Sequence, residues 1–247
     1  MRARWLVVVG GAAAVGVAVL AGRGPAIAQA PAPGPAAPPA GAVQVWLAEC
    51  AVCHGAQARG TPRGPSLAGT GRASTHYMLT TGRMPIDDPD DKLLRRPPRY
   101  APALIDALVD YVATLVPGGP DVPTVAPGGD AAAGGVAYRA QCAACHAWSG
   151  NGGALLEREA PPVHPATPVQ VAEAVRTGPG TMPAFGPAAL TDAELADLIA
   201  YLEVIDDPED VGGQPLWHLG PLAEGGVAWV AGIGVLLLVA RAVGSRR

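Results

Sequence analysis

Two five-residue stretches, at 50–54 and 142–146, contain all four cysteines of the 247-residue chain. Each has the pattern Cys-x-x-Cys-His, which is typical of covalent haem attachment: the thiols add to the porphyrin vinyl groups, and the histidine ligates the iron. Cysteines three residues apart share one helical turn, so both sulfurs can reach the same edge of a macrocycle. Because the pattern occurs twice, the sequence predicts two covalently bound c-type haems. The attachment residues are Cys50, Cys53, Cys142 and Cys145, and the first iron ligands are His54 and His146.

The cysteines have two other uses to weigh against haem attachment. A single Cys-x-x-Cys pair can be a redox dithiol, but thioredoxin-like motifs stand in a βαβ pattern that this sequence lacks. Two pairs can form a four-cysteine zinc site. Here the pairs lie 92 residues apart, and a zinc site leaves the histidine after each pair unexplained. Haem attachment accounts for both histidines and is the preferred interpretation.

The sixth iron ligand separates electron transfer from catalysis at an open iron. A methionine thioether favours reduced iron and raises its potential. Met84 and Met182 each precede a proline, follow a Thr-Gly pair, and come 30 and 36 residues after His54 and His146. This matched placement predicts Met84 and Met182 as the axial ligands opposite the two histidines.

Other candidate ligands occupy positions that do not repeat. Met78 competes with Met84 in the first repeat but has no counterpart in the second. His76, His164 and His218 are also unmatched, so we expect them at the surface or in supporting roles.

Two prolines are candidates for supporting the histidine ligands. Pro65 and Pro161 each follow a Cys-x-x-Cys-His motif in a loop. A proline carbonyl beside the iron-bound histidine can accept its Nδ1–H and so fix the tautomer and orientation of the ring. Both prolines are therefore predicted to belong to the haem-binding sites.

Composition and charge exclude several function classes. The formal net charge is −4 and charged residues make up only 15% of the chain, with no basic patch of the kind that binds nucleic acid. No Ser/His/Asp arrangement, phosphate-binding loop or pair of carboxylates stands out, so we predict no catalytic residue. Glycine and proline together supply 60 residues, 33 and 27, which predicts long loops and linkers.

The N-terminal segment resembles an export signal. Arg2 and Arg4 precede an apolar run at 5–21, and small-x-small cleavage patterns follow by residue 30. We therefore predict a signal peptide at 1–30, with an uncleaved anchor helix as the alternative because the run is just long enough to span a bilayer. A proline- and alanine-rich spacer is predicted at 31–42.

The rest of the chain is predicted to be all-α, with two helical domains at 43–116 and 130–207 and a linker at 117–129. Apolar residues at helical spacing precede each cysteine motif and recur in a closing helix in each domain. The expected core faces are Val43, Trp46, Leu47 and Cys50; Leu104, Leu108, Tyr111, Val112 and Leu115; Ala137, Tyr138, Gln141 and Cys142; and Leu195, Leu198, Ile199 and Leu202. Thr191 and Glu194 predict a capping box at the start of the last of these helices. The acidic run at 87–91 is a solvated turn by default and a docking patch as the alternative.

The C-terminal part predicts a membrane anchor. After an approach at 208–224, residues 225–243 form an apolar run long enough to span a bilayer, with Arg241 reaching the interface. The basic tail at 244–247 predicts a cytoplasmic C-terminus, which puts the haem domains on the outer face of the cell membrane.

These features together resemble class I cytochrome c domains in tandem. The layout is similar to the two-haem cytochrome c subunits of actinobacterial-type cytochrome bc complexes, the menaquinol–cytochrome c reductases. The resemblance extends from Trp46 to the end of the chain, and residues 87–99 match poorly. The matching stretches are Arg-Gly-Pro-Ser-Leu at 63–67, Thr-Gly-Arg-Met-Pro at 81–85, Gly-Gly-Ala-Leu at 152–155, Thr-Gly-Pro at 177–179, Met-Pro at 182–183 and Gly-Pro-x-x-Glu-Gly at 220–225.

The resemblance implies an electron relay that performs no bond chemistry of its own. It implies a cytochrome b subunit that oxidises quinol and a Rieske iron–sulfur subunit that passes electrons to one haem. The second haem then passes them to a terminal cytochrome c oxidase. Two alternatives share the motifs: a tethered dihaem carrier for another dehydrogenase or oxidase, and a dihaem peroxidase, which would need one haem without methionine.

Overall fold

The computed structural model describes residues 40–155, 158–208 and 221–245. The predicted signal or anchor segment at 1–30, the spacer as far as residue 39, His218, the membrane approach at 209–220 and residues 246–247 lie outside the described residues. In chain order the elements are α1 Ala40–Val45, a turn of π-helix Trp46–Cys50, α2 Ala51–His54, α3 Gly71–Thr80, α4 Pro102–Leu115, α5 Ala131–Gln141, α6 Ala143–His146, β1 Gly153–Leu155, β2 Arg158–Ala160, α7 Pro168–Thr177, α8 Asp192–Asp206 and α9 Pro221–Gly244.

The fold is mostly helical, with one exception to the all-α prediction. Strands β1 and β2 pair antiparallel, with Gly153 opposite Ala160 and Leu155 opposite Arg158. They lie in the loop between the second cysteine motif and α7, where the sequence has no helical periodicity. Each strand has only three residues. The hairpin therefore adds a few local backbone hydrogen bonds and leaves the helical architecture unchanged.

The helix that leads into the first cysteine motif begins at Ala40, inside the segment predicted as spacer. It extends this far because Ala42 is fully buried in the first core. Trp46 is also buried, as predicted, whereas Leu47 is 52% exposed. The turn across Trp46–Cys50 is π-helical, so the phase of a regular α-helix does not continue into the motif. The prediction that Leu47 belongs to the core face is therefore wrong.

The first half of the structure, residues 40–116, surrounds one hydrophobic core. Helix α4 packs against α1 and α3, and it begins with Pro102 in the first turn, where a missing amide costs no hydrogen bond. Leu108 and Val112 are buried as predicted, and Leu104, Tyr111 and Leu115 pack against the core while half-buried. The buried core residues are Ala42, Trp46, Ala58, Leu79, Ile105, Ala107, Leu108, Val109, Val112 and Val116.

The second half, residues 130–208, repeats this arrangement at an offset of 92 residues. Gly134, Tyr138 and Cys142 on and after α5 correspond to Ala42, Trp46 and Cys50, and α5 packs against α8 as α1 packs against α4. Gln141, which was predicted for the core face, is exposed. The core consists of Tyr138, Ala172, Val175, Leu190, Leu195, Leu198 and Ile199, with Leu202 half-buried against it.

Both helices before the methionines, α3 and α7, were missed in the sequence. Helix α7 begins with a capping box, in which Thr167 accepts from the Gln170 amide and Gln170 bonds back to the Thr167 amide, with Pro168 in the first turn. This signature is readable in the sequence. Helix α3 has no side-chain cap, so it lacked an equivalent signal. The capping box predicted at Thr191 and Glu194 is confirmed at the start of α8.

The two halves contact each other through α3 and α7. His76 on α3 bonds to Glu173 on α7, with 2.5 Å between Nδ1 and Oε1. Gln170 donates to the Thr80 carbonyl at 3.3 Å and accepts from Arg95 Nη2 at 2.8 Å. The contact between the halves thus includes hydrogen bonds from both sides.

Helix α9 has the composition of a membrane span. Among the described residues, it is the one helix long and apolar enough to cross a bilayer, over Ala223–Gly244, and its most apolar stretch has no buried residue. Glu224 lies in its first turn and Arg241 in its last.

Candidate haem sites

The attachment thiols lie on short helical turns at the edge of each core. Cys50 ends the π-helical turn, and Cys53 lies on α2, so the two sulfurs share one side of the helix. Cys50 packs against the first core, and Cys142 occupies the same place beside the second. Burial raises the pKa of both thiols to about 11, with Glu49 adding to the rise at Cys50. All four cysteines are free thiols, as attachment to a porphyrin requires.

The two imidazoles after the thiols are oriented in the same way. His54 Nδ1 lies 2.8 Å from the Pro65 carbonyl oxygen, and His146 Nδ1 lies 2.9 Å from that of Pro161. A carbonyl oxygen only accepts, so Nδ1 carries the hydrogen, and a neutral imidazole then has its lone pair on Nε2. Each ring therefore presents Nε2 as a donor to a metal, in the arrangement that orients metal-binding histidines in proteins.

The loop after the first motif is packed closely against it. Thr61 Oγ1 donates to the Cys53 carbonyl at 2.6 Å, and the Gly60 amide donates to the His54 carbonyl at 2.8 Å. A Cβ on Gly64 would lie 2.9 Å from the Cys53 carbonyl oxygen. These contacts bring Pro65 within reach of the imidazole. The second half has an equivalent bond, from the Gly152 amide to the His146 carbonyl at 3.0 Å.

Both predicted methionine ligands lie on the core that carries their own cysteine motif. Met84 packs half-buried against the first core, and Met182 packs in the same way against the second. Each follows a helix that ends at a left-handed glycine, Gly82 after α3 and Gly178 after α7. A Cβ on Gly82 would lie 2.2 Å from the Arg96 carbonyl oxygen, so only glycine fits there. The glycine of each Thr-Gly pair thus allows the turn that precedes the methionine.

The remaining histidines are bonded elsewhere or lie outside the described residues. His164 Nδ1 lies 3.0 Å from Asp206, and its Nε2 lies 2.6 Å from the Ser149 carbonyl oxygen, so neither nitrogen is free. His76 is engaged with Glu173 on the facing helix. Met78 lies half-buried on α3, and its carbonyl accepts the amides of Arg83 and Met84.

The structure disfavours both alternative uses of the cysteines. Within the described ranges, no group of three or more His, Cys, Asp or Glu side chains could hold a metal ion, so the four thiols do not gather into a zinc site. The strands described in the structure form only an antiparallel hairpin, so the βαβ setting of a thioredoxin-like dithiol is absent there. The raised pKa values of the Cys50 and Cys142 thiols also differ from the lowered values of reactive thiolates.

Two arginines near the methionines were not identified from the sequence. Arg176 on α7 donates to two carbonyls of the loop that carries Met182, those of Phe185 and Leu190. Arg83 is buried immediately before Met84 and stacks over the Tyr77 ring, 5.0 Å from its centroid. An arginine near a loop does not indicate a buried structural role in the sequence, since most arginines are exposed. The roles of Arg83 and Arg176 become visible only from the residues that they contact in the structure.

The donor set in each half fits a covalently attached haem. In each half the first thiol of the motif and the methionine pack against the same apolar core, and the second thiol and the imidazole follow on the next helical turn. In the second half an apolar crevice opens beside the Cys142 thiol, with Val175, Phe185, Leu190 and Leu198 among its lining residues. An apolar macrocycle can bury its faces against such surfaces. These features define a cytochrome c-type protein.

Comparisons with known proteins agree with this class and narrow it. The family described as cytochrome C oxidase, cbb3-type, subunit III matches residues 129–202, which places a cytochrome c-type domain in the second half. The cytochrome bc1 complex cytochrome c subunit of Corynebacterium diphtheriae is 36% identical over 217 residues, covering 80% of this chain and 77% of the relative. Those of Mycobacterium tuberculosis and Mycobacterium leprae are 36% and 34% identical, covering 82% of this chain and 76% and 74% of the relatives.

The chain belongs to the family of cytochrome bc1 complex cytochrome c subunits. As a cytochrome c, it carries covalently bound haem. The identification rests on alignments that cover most of this chain and most of each relative. The domain matched at residues 129–202 alone would not have distinguished this family.

Proposed function

We propose that the chain is a membrane-anchored dihaem electron carrier of a quinol-oxidising cytochrome bc complex. Electrons enter from the Rieske iron–sulfur subunit, which is fed by quinol oxidation in cytochrome b, and leave to a terminal cytochrome c oxidase. The observation that carries the proposal is the repeated site: each half has the same cysteines, histidine, proline carbonyl and methionine beside its own core. The family's membership in the bc1 complex supports the choice of partners.

The residues of each half divide the work of holding one haem. In the first half, Cys50 and Cys53 would hold it covalently, and His54, through Nε2, and Met84 would be the protein ligands of its iron. In the second half, Cys142, Cys145, His146 and Met182 would have the same roles. Haem supplies the one-electron chemistry when bound. With a histidine and a methionine from the protein both bound to the iron, the site would accept and release electrons without binding a substrate at the metal.

The Pro65 and Pro161 carbonyls set the electronic state of the histidine ligands. A hydrogen bond from Nδ1–H to a carbonyl makes the imidazole a better donor and fixes its plane. The apolar cores exclude water from the attachment side, which lowers the reorganisation that accompanies each change of charge. The direct contact of α3 with α7 keeps the two sites in one unit, as transfer between them in series requires.

Helix α9 anchors the carrier in the membrane under this proposal. Its exposed apolar length suits a bilayer. Arg241 lies in its last turn, and positive residues favour the cytoplasmic side of a membrane helix. The C-terminus is therefore cytoplasmic, and both haem-carrying halves lie on the outer face, where their electron partners dock.

Purification of the tagged chain from membranes tests the proposed complex. We expect cytochrome b and Rieske subunits to co-purify, two covalent haems per chain, and reduction of both haems by added quinol. A chain that purifies alone, and whose haems quinol fails to reduce, would contradict the assignment to the bc complex. One haem per chain would contradict the dihaem relay.

The methionine ligands are tested by Met84→Ala and Met182→Ala, with Met78→Ala as the matched control. Replacing the thioether by water or an open position lowers the potential of the iron because the soft ligand stabilises its reduced form. Each ligand variant should lower the midpoint of a different haem and remove its methionine–iron charge-transfer band, with haem still attached. Loss of that band in Met78→Ala instead would move the assignment to Met78.

A further inference from the structure

A buried guanidinium in the first half has a nitrogen without a partner. Arg83 is only 8% exposed, and its Nη1 has no hydrogen-bond partner among the described residues. Its guanidinium lies over the face of Tyr77, 5.0 Å from the ring centroid. Burying a charged group without hydrogen bonds costs several kcal/mol. A site that keeps such a group therefore indicates an additional binding partner.

The neighbours of Arg83 do not neutralise it. Burial lowers the Arg95 pKa, and the positive charge of nearby Arg83 lowers it further. Within the described residues, neither arginine has a carboxylate at ion-pair distance. The nearby buried carboxylate, Glu173, is bonded through Oε1 to His76, and its Oε2 has no donor. Among the described residues, two positive charges thus lie close together without a carboxylate at ion-pair distance from either.

The excess positive charge of Arg83 and Arg95 favours the binding of an anion. Among anions, a carboxylate matches the planar guanidinium group. Arg83 directly precedes Met84, which packs on the same core as Cys50. A haem attached at Cys50 and Cys53 brings two propionate carboxylates into this half, on the edge of the porphyrin away from its vinyl groups. We propose that Arg83 Nη1 binds a propionate of the haem in the first half. The inference rests on the proposed function, since it requires that haem.

The second half offers an internal comparison. When the Thr-Gly pairs after α3 and α7 are matched, Pro179 stands where Arg83 stands in the first half. Proline has no side-chain donor, so this position cannot bind a propionate of the second haem. A positive charge on a propionate stabilises the reduced iron, because reduction removes one positive charge from the haem. Arg83 therefore raises the potential of the first haem relative to the second.

Redox titration of Arg83→Gln in the intact membrane complex tests this contact, with Arg83→Lys beside it and exposed Arg59→Gln as the matched control. We expect one midpoint to fall, lowering the reduced-to-oxidised ratio at fixed potential by about tenfold, or about 59 mV for one electron. The other midpoint should not move. Arg83→Lys should shift the same midpoint less, and the propionate bands in the resonance Raman spectrum should move for that haem alone.

Two outcomes overturn the inference while leaving the proposed function intact. If both haems are attached and neither midpoint moves in Arg83→Gln, Arg83 does not contact a propionate. If Arg83→Gln no longer shifts the midpoint when Glu173 is also replaced by Gln, Arg83 acts by balancing the charge of Glu173, and the propionate contact is wrong. If the midpoint shift persists in that background, it supports the propionate contact. Should Arg83→Gln fail to fold, the Arg83→Lys titration decides by the same criteria. A wild-type chain without two haems would instead contradict the proposed function.

Discussion

Arg176 holds the loop that carries Met182. Its Nη1 donates to the Phe185 and Leu190 carbonyls at 2.8 and 2.6 Å, and its Nη2 lies 2.5 Å from Asp192 Oδ1. The side chain is only 8% exposed although that of Asp192 is 86% exposed. The rigid fork of a guanidinium can satisfy several acceptors at once. This residue therefore fixes the turn between Phe185 and Leu190, which follows Met182 in the same loop.

Arg176→Gln should loosen that turn and weaken the sixth ligand of the second haem. Two carbonyls lose a charged donor, at a cost of about 1.5–3 kcal/mol for such a hydrogen bond. We expect a weaker methionine–iron charge-transfer band and a lower midpoint for one haem, with the other unchanged. Absorption spectra and redox titration measure both. The control is Arg139→Gln, which replaces an exposed arginine in the same half. An unaltered charge-transfer band in Arg176→Gln would show that the loop keeps its conformation without Arg176.

The helix pairs α1–α4 and α5–α8 cross at equivalent small residues. Ala42 on α1 is fully buried in the first core. At the matching position on α5, a Cβ added to Gly134 would lie 1.8 Å from the Asp197 carbonyl oxygen on α8. The backbones of α5 and α8 thus approach more closely than a side chain allows. The placement of Cys142 beside its core depends on this approach, because the motif continues directly from α5.

Gly134→Ala should therefore destabilise the second half. Overpacking of this kind costs about 1–3 kcal/mol, more than the gain of up to about 1 kcal/mol from alanine in a helix. Gly41→Ala is the matched control: it also lies in an entering helix, but no atom lies within 4 Å of its added Cβ. Thermal unfolding should show a lower Tm for Gly134→Ala and an equal or higher Tm for Gly41→Ala. Equal Tm values in the two variants would contradict a close helix crossing.

At the scale of the whole molecule, an ionisable pair joins the two halves. His76 Nδ1 and Glu173 Oε1 are 2.5 Å apart, and Glu173 is fully buried. The hydrogen bond to Glu173 raises the His76 pKa, with a smaller contribution from Asp106 and opposing ones from burial and Arg72. Burial raises the Glu173 pKa, against the opposing effect of His76. His76 and Glu173 thus both bind protons more tightly in the folded chain than in the unfolded chain.

Stability of this contact should fall as the pH rises. A group with a raised folded pKa stabilises the fold below its unfolded value, about 6.5 for histidine, and loses that contribution as the pH passes the folded value. We expect the Tm of the purified chain to decrease from pH 6 to pH 9, and Glu173→Gln to reduce the decrease. The matched control is His164→Gln, which removes a histidine remote from α3. An unchanged pH slope in Glu173→Gln would rule out the pair as its source.

The sequence alone determined the local features of this protein. The cysteine motifs, the closing helices and the capping box of Thr191 with Glu194 all depend on residues close in the chain, where spacing maps directly onto a helical turn or a cap. The predicted burial of Leu108, Val112, Leu195, Leu198 and Ile199 is confirmed for the same reason. The ligand assignments remain predictions, which the titrations of Met84→Ala and Met182→Ala test.

Tertiary structure decided what depends on residues far apart in the chain. Leu47 was misplaced because a π-helical turn shifts the phase of the helix, and α3 was missed because it lacks a side-chain cap. The pairing of His76 with Glu173 spans 97 residues, and no local pattern marks either partner. Arg83 became a candidate for haem binding only through its burial beside Tyr77 and its unpartnered nitrogen. Burial and charge balance are properties of the packed chain, so no local spacing in the sequence specifies them.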